Sequence, residues 1–576
     1  MLNSKLISKS FGSLMTTMML TGLVTTLGAF IDGVIVGNYM GQDSMAAFGY
    51  ASPMFIFISS IAGIFANGGK ALCSKYIGEE GFDRVRRNYT LSCAVAGIVG
   101  LVLMLLCIFA ARPIARLLGA RGELIQPTAD YVRGLGFGAI PITMMQVVTG
   151  YICLDNAENL CFLGALVMTA VNVTLDVLVA VVWHSGLFGM ALATSASYLA
   201  SLLVELVYFR RKDRLLVFAK PELSLAELGR IVKTGMPSAV SHVCYSAASV
   251  LLNMMLFASM GAMAVSAFSV QSTLDSFVSA LVVGITSEVS IFAGIFYGER
   301  NRSSLKLTFL TACKYGTILG FVMGAVIFIA APQLAGLILK ADSETLALAT
   351  TSLRYLSLSL PSQILTLIPV YYYLSIERVS LSMVLCVLRS FLLIVIPSAI
   401  LQKLMGVNGI WMGLLLSCFL VYPTMLPLLR RNEGKTRLER IMALKRDFEP
   451  ADQKVFEASI TDDMDQVMQT VDRMRAFCRE AGIDENRARR ICLSIEEIVG
   501  NVVQHGFKRK GGHFIDIRFL ASGERCCLSV RDNGVKFNPL SYQNRETQYG
   551  IRLIRGITKE MRYCYAAGMN NLNIDI

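Results

Sequence analysis

Residues 161–183 read CFLGALVMTAVNVTLDVLVAVVW, a run whose side chains are apolar or small except at Asn172 and Asp176. A helix of about 20 such residues crosses the hydrocarbon core of a bilayer. Similar runs lie near 13–37, 46–69, 90–110, 132–153, 187–209, 236–259, 264–297, 311–331, 351–376, 381–402 and 409–429. The sequence therefore predicts twelve membrane spans.

The charges stop matching that picture after the last run. Of 576 residues, positions 1–430 carry 48 charged side chains, about 11%, whereas 431–576 carry 46, about 32%. A soluble domain has about 25%. This contrast excludes a single soluble enzyme, a disulfide scaffold, a fibre and a nucleic-acid binder, although the net charge is +12. The expected organisation is an N-lobe over 1–215, a C-lobe over 216–430, a charged linker over 431–452 and a water-soluble domain over 453–576. With the N-terminus inside, 18 Lys/Arg fall on inner segments and 7 on outer ones, the heaviest inner loop being Arg210-Arg211-Lys212-Asp213-Arg214. That bias predicts cytoplasmic N- and C-termini.

The two lobes repeat each other at a constant offset of 220 residues. Met40-Gly41 matches Met260-Gly261, Gly78-Glu79 matches Gly298-Glu299, Pro141 matches Pro361, and Gly186 and Gly189 match Gly406 and Gly409. Six spans per repeat give both lobes one orientation, related by a pseudo-two-fold axis along the membrane normal. The polar residues break this repeat: Asp32, Asn172 and Asp176 correspond to Leu252, Leu392 and Ile396. A carboxylate in the bilayer costs at least about 2.5 kcal/mol and is a functional candidate by default. Asn172 and Asp176 share a helix face, and Thr194 on the following span can close an oxygen cluster with Asp32. Such a cluster suits a proton, because burial disfavours a carboxylate's charged form, and it equally suits a hard cation. In the C-lobe, Asp275, Glu288 and Arg389 read as local charge balance more than as substrate contacts.

Ile31-Asp32-Gly33 through Met45-Ala46-Ala47, then Leu154 to Glu158, Asn172-Val173-Thr174-Leu175-Asp176 and Gly186 through Ala191-Leu192-Ala193-Thr194, resemble MATE (multidrug and toxic compound extrusion) transporters over residues 10–430. The resemblance implies export of organic, often cationic, amphiphilic compounds in exchange for H⁺ or Na⁺. It assigns the coupling ion to Asp32, Asn172 and Asp176, with Thr194 and Tyr131 as helpers. Some members carry a carboxylate in span seven; here residues 238–246 have none, which puts C-lobe coupling in question.

In the soluble part, the pattern predicts strand 454–460, helices 463–481 and 484–506, strands 513–520 and 526–532, helix 549–558, and strands 561–566 and 570–576. Asp484 reads as an N-cap and Gly506 as a stop. Glu497, Asn501 and His505 recur every four residues and line one face. Arg531-Asp532-Asn533-Gly534 ends a strand, and Gly550 opens a helix. These residues, with Phe537-Asn538-Pro539, resemble the GHKL ATPases and most of all their anti-sigma-factor serine kinases. The expected fold class is thus an all-α membrane protein of two six-helix lobes with a cytoplasmic α/β sandwich.

By that second resemblance Asn501 holds Mg²⁺, Asp532 reads the adenine of ATP, Glu497 is the general base, and His505, Gly534 and Gly550 line the nucleotide site. Gln548-Tyr549-Gly550 departs from the family's Gly-x-Gly phosphate motif. The expected function is an ion-coupled exporter in a bacterial inner membrane, regulated through ATP binding. The alternatives are a membrane-tethered serine kinase acting on an anti-anti-sigma (STAS-type) or sigma-factor partner, and a lipid-linked precursor flippase.

Overall fold

The computed structural model describes every residue except 1–4, 213, 221–223, 340, 341, 431–435, 445–447, 449–452, 508–510, 523, 524 and 541–548. It divides into two compact units, Met15–Glu299 with Phe309–Leu444, and Lys445–Ile576 with Met1–Leu14 and Arg300–Thr308.

The N-lobe is built from α1 (Lys5–Tyr39), α2 (Gly41–Gly78), α3 (Phe82–Phe109), α4 (Ile125–Ile152), α5 (Glu158–Val177) and α6 (Gly186–Glu205). The C-lobe has α7 (Leu225–Met260), α8 (Ala262–Gly298), α9 (Arg302–Ile338), α10 (Ser343–Ser375), α11 (Val379–Met405) and α12 (Val407–Arg430). Eleven of the described helices are long and apolar enough to cross a membrane. The remaining long one, α10, buries Ser352, Ser357, Ser359, Ser362 and Thr366. Several of these hydroxyls bond back to their own helix's carbonyls three residues earlier, so the helix tolerates polarity that lowers its hydropathy.

The repeat is legible in the backbone. Left-handed residues link helices at Gly41 and Gly261, Glu80 and Arg300, and Gly186 and Gly406, each pair 220 apart. The lobes also touch reciprocally. A Cβ on Gly78 would overlap the Ile295 carbonyl, and one on Gly298 would overlap the Lys75 carbonyl. Gly235 against Ile64 and Gly284 against Met15 form a second such pair. Contacts exchanged at the repeat's own offset are what a two-fold relation between lobes produces. Beyond α12, Thr436 caps a short helix, α13 (Arg437–Met442), through a capping box with Glu439. The Tyr373 hydroxyl donates to the Ile441 carbonyl at 2.6 Å, and Arg378 Nε donates to Ala443 at 2.9 Å. This described part of the charged linker is therefore packed against the C-lobe.

The C-terminal domain is a two-layer α/β sandwich. Strands β1 (Lys454–Thr461), β2 (Phe514–Ser522), β3 (Arg525–Asp532), β4 (Glu560–Ala566) and β5 (Met569–Asp575) form an antiparallel sheet in the order β1-β2-β3-β5-β4. Helices α14 (Met464–Glu480), α15 (Glu485–His505) and α16 (Tyr549–Ile557) contribute to the same core as the sheet, through Val467, Val471, Ile491, Ile495, Val499 and Ile554 against Ile515, Ile517 and Phe519. Asp484 caps α15 by accepting from Asn486 and Arg487, and Gly506 ends it. Ala567 and Gly568, both at positive φ, make the tight β4–β5 turn.

The reciprocal glycine contacts generate a prediction. Gly78→Ala and Gly298→Ala should each destabilise the membrane domain by about 1–3 kcal/mol, the usual cost of overpacking. Gly49→Ala, whose Cβ would meet nothing within 4 Å, should not. Thermal unfolding of the detergent-purified protein measures this, and equal stability of all three variants would remove the glycines from the account.

Candidate functional sites

The N-lobe site forms where α1, α4, α5 and α6 converge. Asp176 is fully buried, and Asn172, one turn earlier on α5, donates from its amide to Asp176 Oδ2 at 2.7 Å. The Asp32 carboxylate is Asp176's direct neighbour. Asp32 Oδ1 and Asp176 Oδ1 are both buried, and neither has a hydrogen-bond partner. Two adjoining carboxylates with orphaned oxygens cannot both remain charged and bare; the geometry calls for a shared proton or a cation. Tyr131 lies beside Thr194, and Thr194 also bonds back to the Met190 carbonyl at 3.2 Å. The structure thus brings together Asp32, Asn172, Asp176, Thr194 and Tyr131. It adds Tyr198, which is near Asp32 and which the sequence reading missed. Its position four residues after Thr194, on the same face of α6, was the available signal.

In the C-lobe, Asp275 accepts from Tyr245 at 3.3 Å and from Gln363 at 3.0 Å. A carboxylate thus reaches the span-seven residue Tyr245 from α8, although residues 238–246 carry none themselves.

The second site is at one end of the C-terminal sheet. On α15, Asn501 donates its amide to Glu497 Oε1 at 2.8 Å. Gly550, near the start of α16, packs so closely on the Glu497 carboxylate that a Cβ would overlap it. A side chain there would push α16 off α15. At the end of β3, Asp532 Oδ1 accepts from the Gly534 backbone and from the Asn570 amide, each at 2.8 Å. Gly534 has no room for a Cβ, which would overlap the Gly506 carbonyl. Burial pushes the Asp532 carboxyl above the ordinary carboxylate value, and the bonds from Asn570 and Gly534 only partly offset it. His505 is exposed at the end of α15. Gln548 and the Tyr549 side chain lie outside the described residues, so the altered phosphate motif does too.

Asn570 is the important residue that sequence reasoning passed over. It faces Asp532 across the β3–β5 ladder. Its oxygen accepts from Tyr563 at 2.7 Å and from the Phe537 backbone at 3.3 Å, so one amide ties three segments to Asp532. The polar pair Asn570-Asn571 inside a strand was the hint.

Comparison with known proteins follows this division of the chain. The MatE family model matches residues 17–154 and 237–400, more than half of the sequence. The chain belongs to the MatE family. Residues 460–575 match the model described as a histidine kinase-like ATPase domain. "Multidrug export protein MepA" of Staphylococcus saprophyticus is 24% identical over 352 residues, covering 60% of this chain and 76% of that protein. "Probable multidrug resistance protein YoeA" of Bacillus subtilis is 24% identical over 351 residues, 59% and 75% of the two chains. The structure of an outward-facing multidrug resistance MATE family transporter of the MOP superfamily superposes with a TM-score of 0.71 at 23% identity, over 76% of this chain and 97% of that one. This MatE protein is therefore a multi-pass membrane protein of the MATE fold with a kinase-like ATPase domain at its C-terminus.

The role of Asn570 can be tested directly. Asn570→Ala leaves Tyr563 and Asp532 each short of a partner and should cost about 1–3 kcal/mol locally. Amide hydrogen exchange across β3 and β5 should speed up correspondingly; unchanged exchange would mean that the network carries no stability.

Proposed function

We propose that this protein is an ion-coupled exporter of organic amphiphiles in a bacterial inner membrane, with both termini cytoplasmic and its export regulated by ATP binding to the C-terminal domain. The observation that carries the transport reading is the Asp32–Asp176 pair. Its two orphaned buried oxygens stand in the lobe where the repeat would otherwise place Leu252 and Ile396 partners. H⁺ or Na⁺ is the coupling ion on this reading, since either satisfies those oxygens. Asn172 holds Asp176 in place, while Thr194 and Tyr131 complete the polar wall. The multidrug export names of the similar proteins support the substrate class. Positive inner loops support the orientation.

The measurement is dye efflux from vesicles under imposed proton and sodium gradients in turn. Asp32→Asn and Asp176→Asn should each abolish the gradient-driven component. Efflux at the original rate in either variant would sink the coupling assignment.

For the C-terminal domain, the residues present fit ATP and Mg²⁺ on two counts. Asp532 is buried and has one oxygen with no hydrogen bond among the described residues, which suits the exocyclic amine of adenine. Asn501 has its amide committed to Glu497, leaving its carbonyl oxygen for Mg²⁺. On this reading His505, Gly534 and Gly550 line the nucleotide site. Bound ATP and Mg²⁺ would supply a transferable phosphoryl group. The position of Glu497 beside Asn501 favours a second reading, a serine kinase in which Glu497 is the base and a STAS-type protein the acceptor. ADP formation that disappears in Glu497→Gln would favour the kinase; ATP bound and released intact would favour regulation alone.

Binding should depend on pH with a definite sign. The Asp532 carboxylate accepts only when deprotonated, so affinity is present above its pKa and lost as pH falls through it. Because burial raises that pKa, the loss should come at a higher pH than an ordinary aspartate would give. Calorimetry of the full chain with Mg²⁺ and ATP measures this. No binding, or binding indifferent to Asp532→Ala, would refute the nucleotide reading.

A further inference from the structure

The C-lobe holds a partly open cavity of about 550 Å³, lined by residues of α7, α8, α10, α11 and α12, with Thr26 contributed from α1. Most of its wall is aliphatic or hydroxylic, including Leu252, Val278, Ile364 and Leu367. Two charged residues line it, Asp275 and Arg389, and their hydrogen bonding is unequal. Asp275 has both oxygens engaged, one by Tyr245 and one by Gln363. Arg389 has no hydrogen-bond or ion-pair partner among the described residues, and its Nε is buried without an acceptor. Asp275 and Arg389 interact by charge, as local charge balance would have it, but they make no direct ion pair, so the guanidinium's donors stay available to a ligand.

An unpaired guanidinium at membrane depth is costly and marks a functional position. Its planar fork of donors matches a carboxylate bidentately, which an ammonium or hydroxyl does not. Arg389 also stands on a π-helical turn, Leu388–Leu392, that interrupts α11. Such turns occur frequently at functional sites. The repeat partners of Asp275 and Arg389 are Phe55 and Thr169, so this pair belongs to the C-lobe alone. The N-lobe therefore offers paired acceptors for a small cation, and the C-lobe cavity offers an uncommitted donor beside apolar walls.

We propose that the C-lobe cavity binds amphiphiles bearing a carboxylate, held by Arg389, so that the protein's substrates include zwitterions and not organic cations alone. This rests on the export reading for its physiological meaning, but binding itself requires neither an ion gradient nor Asp32.

The test uses two fluorescent probes, ε-dansyl-lysine and dansylcadaverine. Both carry a dansyl group and a primary amine, and only the first has a carboxylate. Equilibrium titration of the detergent-purified full chain should show ε-dansyl-lysine binding about tenfold or more tightly than dansylcadaverine, the scale of one charge-assisted contact. Arg389→Gln should erase that preference while leaving dansylcadaverine within about twofold of its original affinity. Equal affinity of the two probes for the unaltered chain, no binding of either, or a preference that survives Arg389→Gln would overturn the proposal. Should Arg389→Gln lose both probes, Arg389→Lys decides: dansylcadaverine binding retained with a reduced carboxylate preference supports the assignment, as the fork argument requires, and an undiminished preference or loss of both probes refutes it. Failure of gradient-driven efflux would count against the export reading and leave this binding preference standing or falling separately.

Discussion

The membrane domain depends on how closely two helices approach at its pseudo-two-fold axis. At Gly78 and Gly298 each helix lays a Cα against the other's carbonyl, leaving no space for a side chain. Lipid is as apolar as leucine, so helices in a bilayer gain little from hiding apolar faces and much from close van der Waals contact between small residues. The same contact explains why the repeat keeps Gly78-Glu79 and Gly298-Glu299 in register. A two-fold interface must satisfy both partners with one set of residues, so a bulky side chain at either position would be felt at one half and unmatched at the other.

On this symmetric frame the polar groups are placed asymmetrically, and that asymmetry makes a transport cycle conceivable. Asp32 and Asp176 put orphaned acceptors in one lobe. Arg389 puts an uncommitted donor in the other. A cation or proton entering the N-lobe changes the charge there without competing for the C-lobe's donor. On the proposed reading, ion and substrate occupy the molecule through different chemistry, and exchange between them would be mechanical, through the packed contact of the lobes.

Much of this was legible in the sequence because it rests on local or strictly periodic signals. Span positions follow from run length, the repeat from its constant offset, and the C-terminal strands and helices from alternation, Asp484 and Gly506. Asp32, Asn172 and Asp176 stood out as departures from the repeat. What escaped reading depends on tertiary juxtaposition. Asn570 matters because β3 and β5 pair in one register, a fact no local pattern encodes. Tyr198 and the unmatched hydrogen bonding of Arg389 likewise exist only once helices from distant parts of the chain converge.

Residues 436–444, which precede the C-terminal domain in the sequence, are held against the C-lobe. The chain passes from α12 into α13, which is clasped by Tyr373 and Arg378. Between those two residues lies Glu377, whose carboxylate meets Lys75 of the other lobe at 2.8 Å. That ion pair is partly exposed, so it contributes at most about 1 kcal/mol, and the glycine contact beside it carries most of the closure. A weak pair is nonetheless the suitable lever. Losing its contribution of up to about 1 kcal/mol through α13 changes the balance between two lobe arrangements up to about fivefold, without having to break the close-packed glycines. If ATP regulates export as proposed, its binding need only alter the pull on residues 436–444.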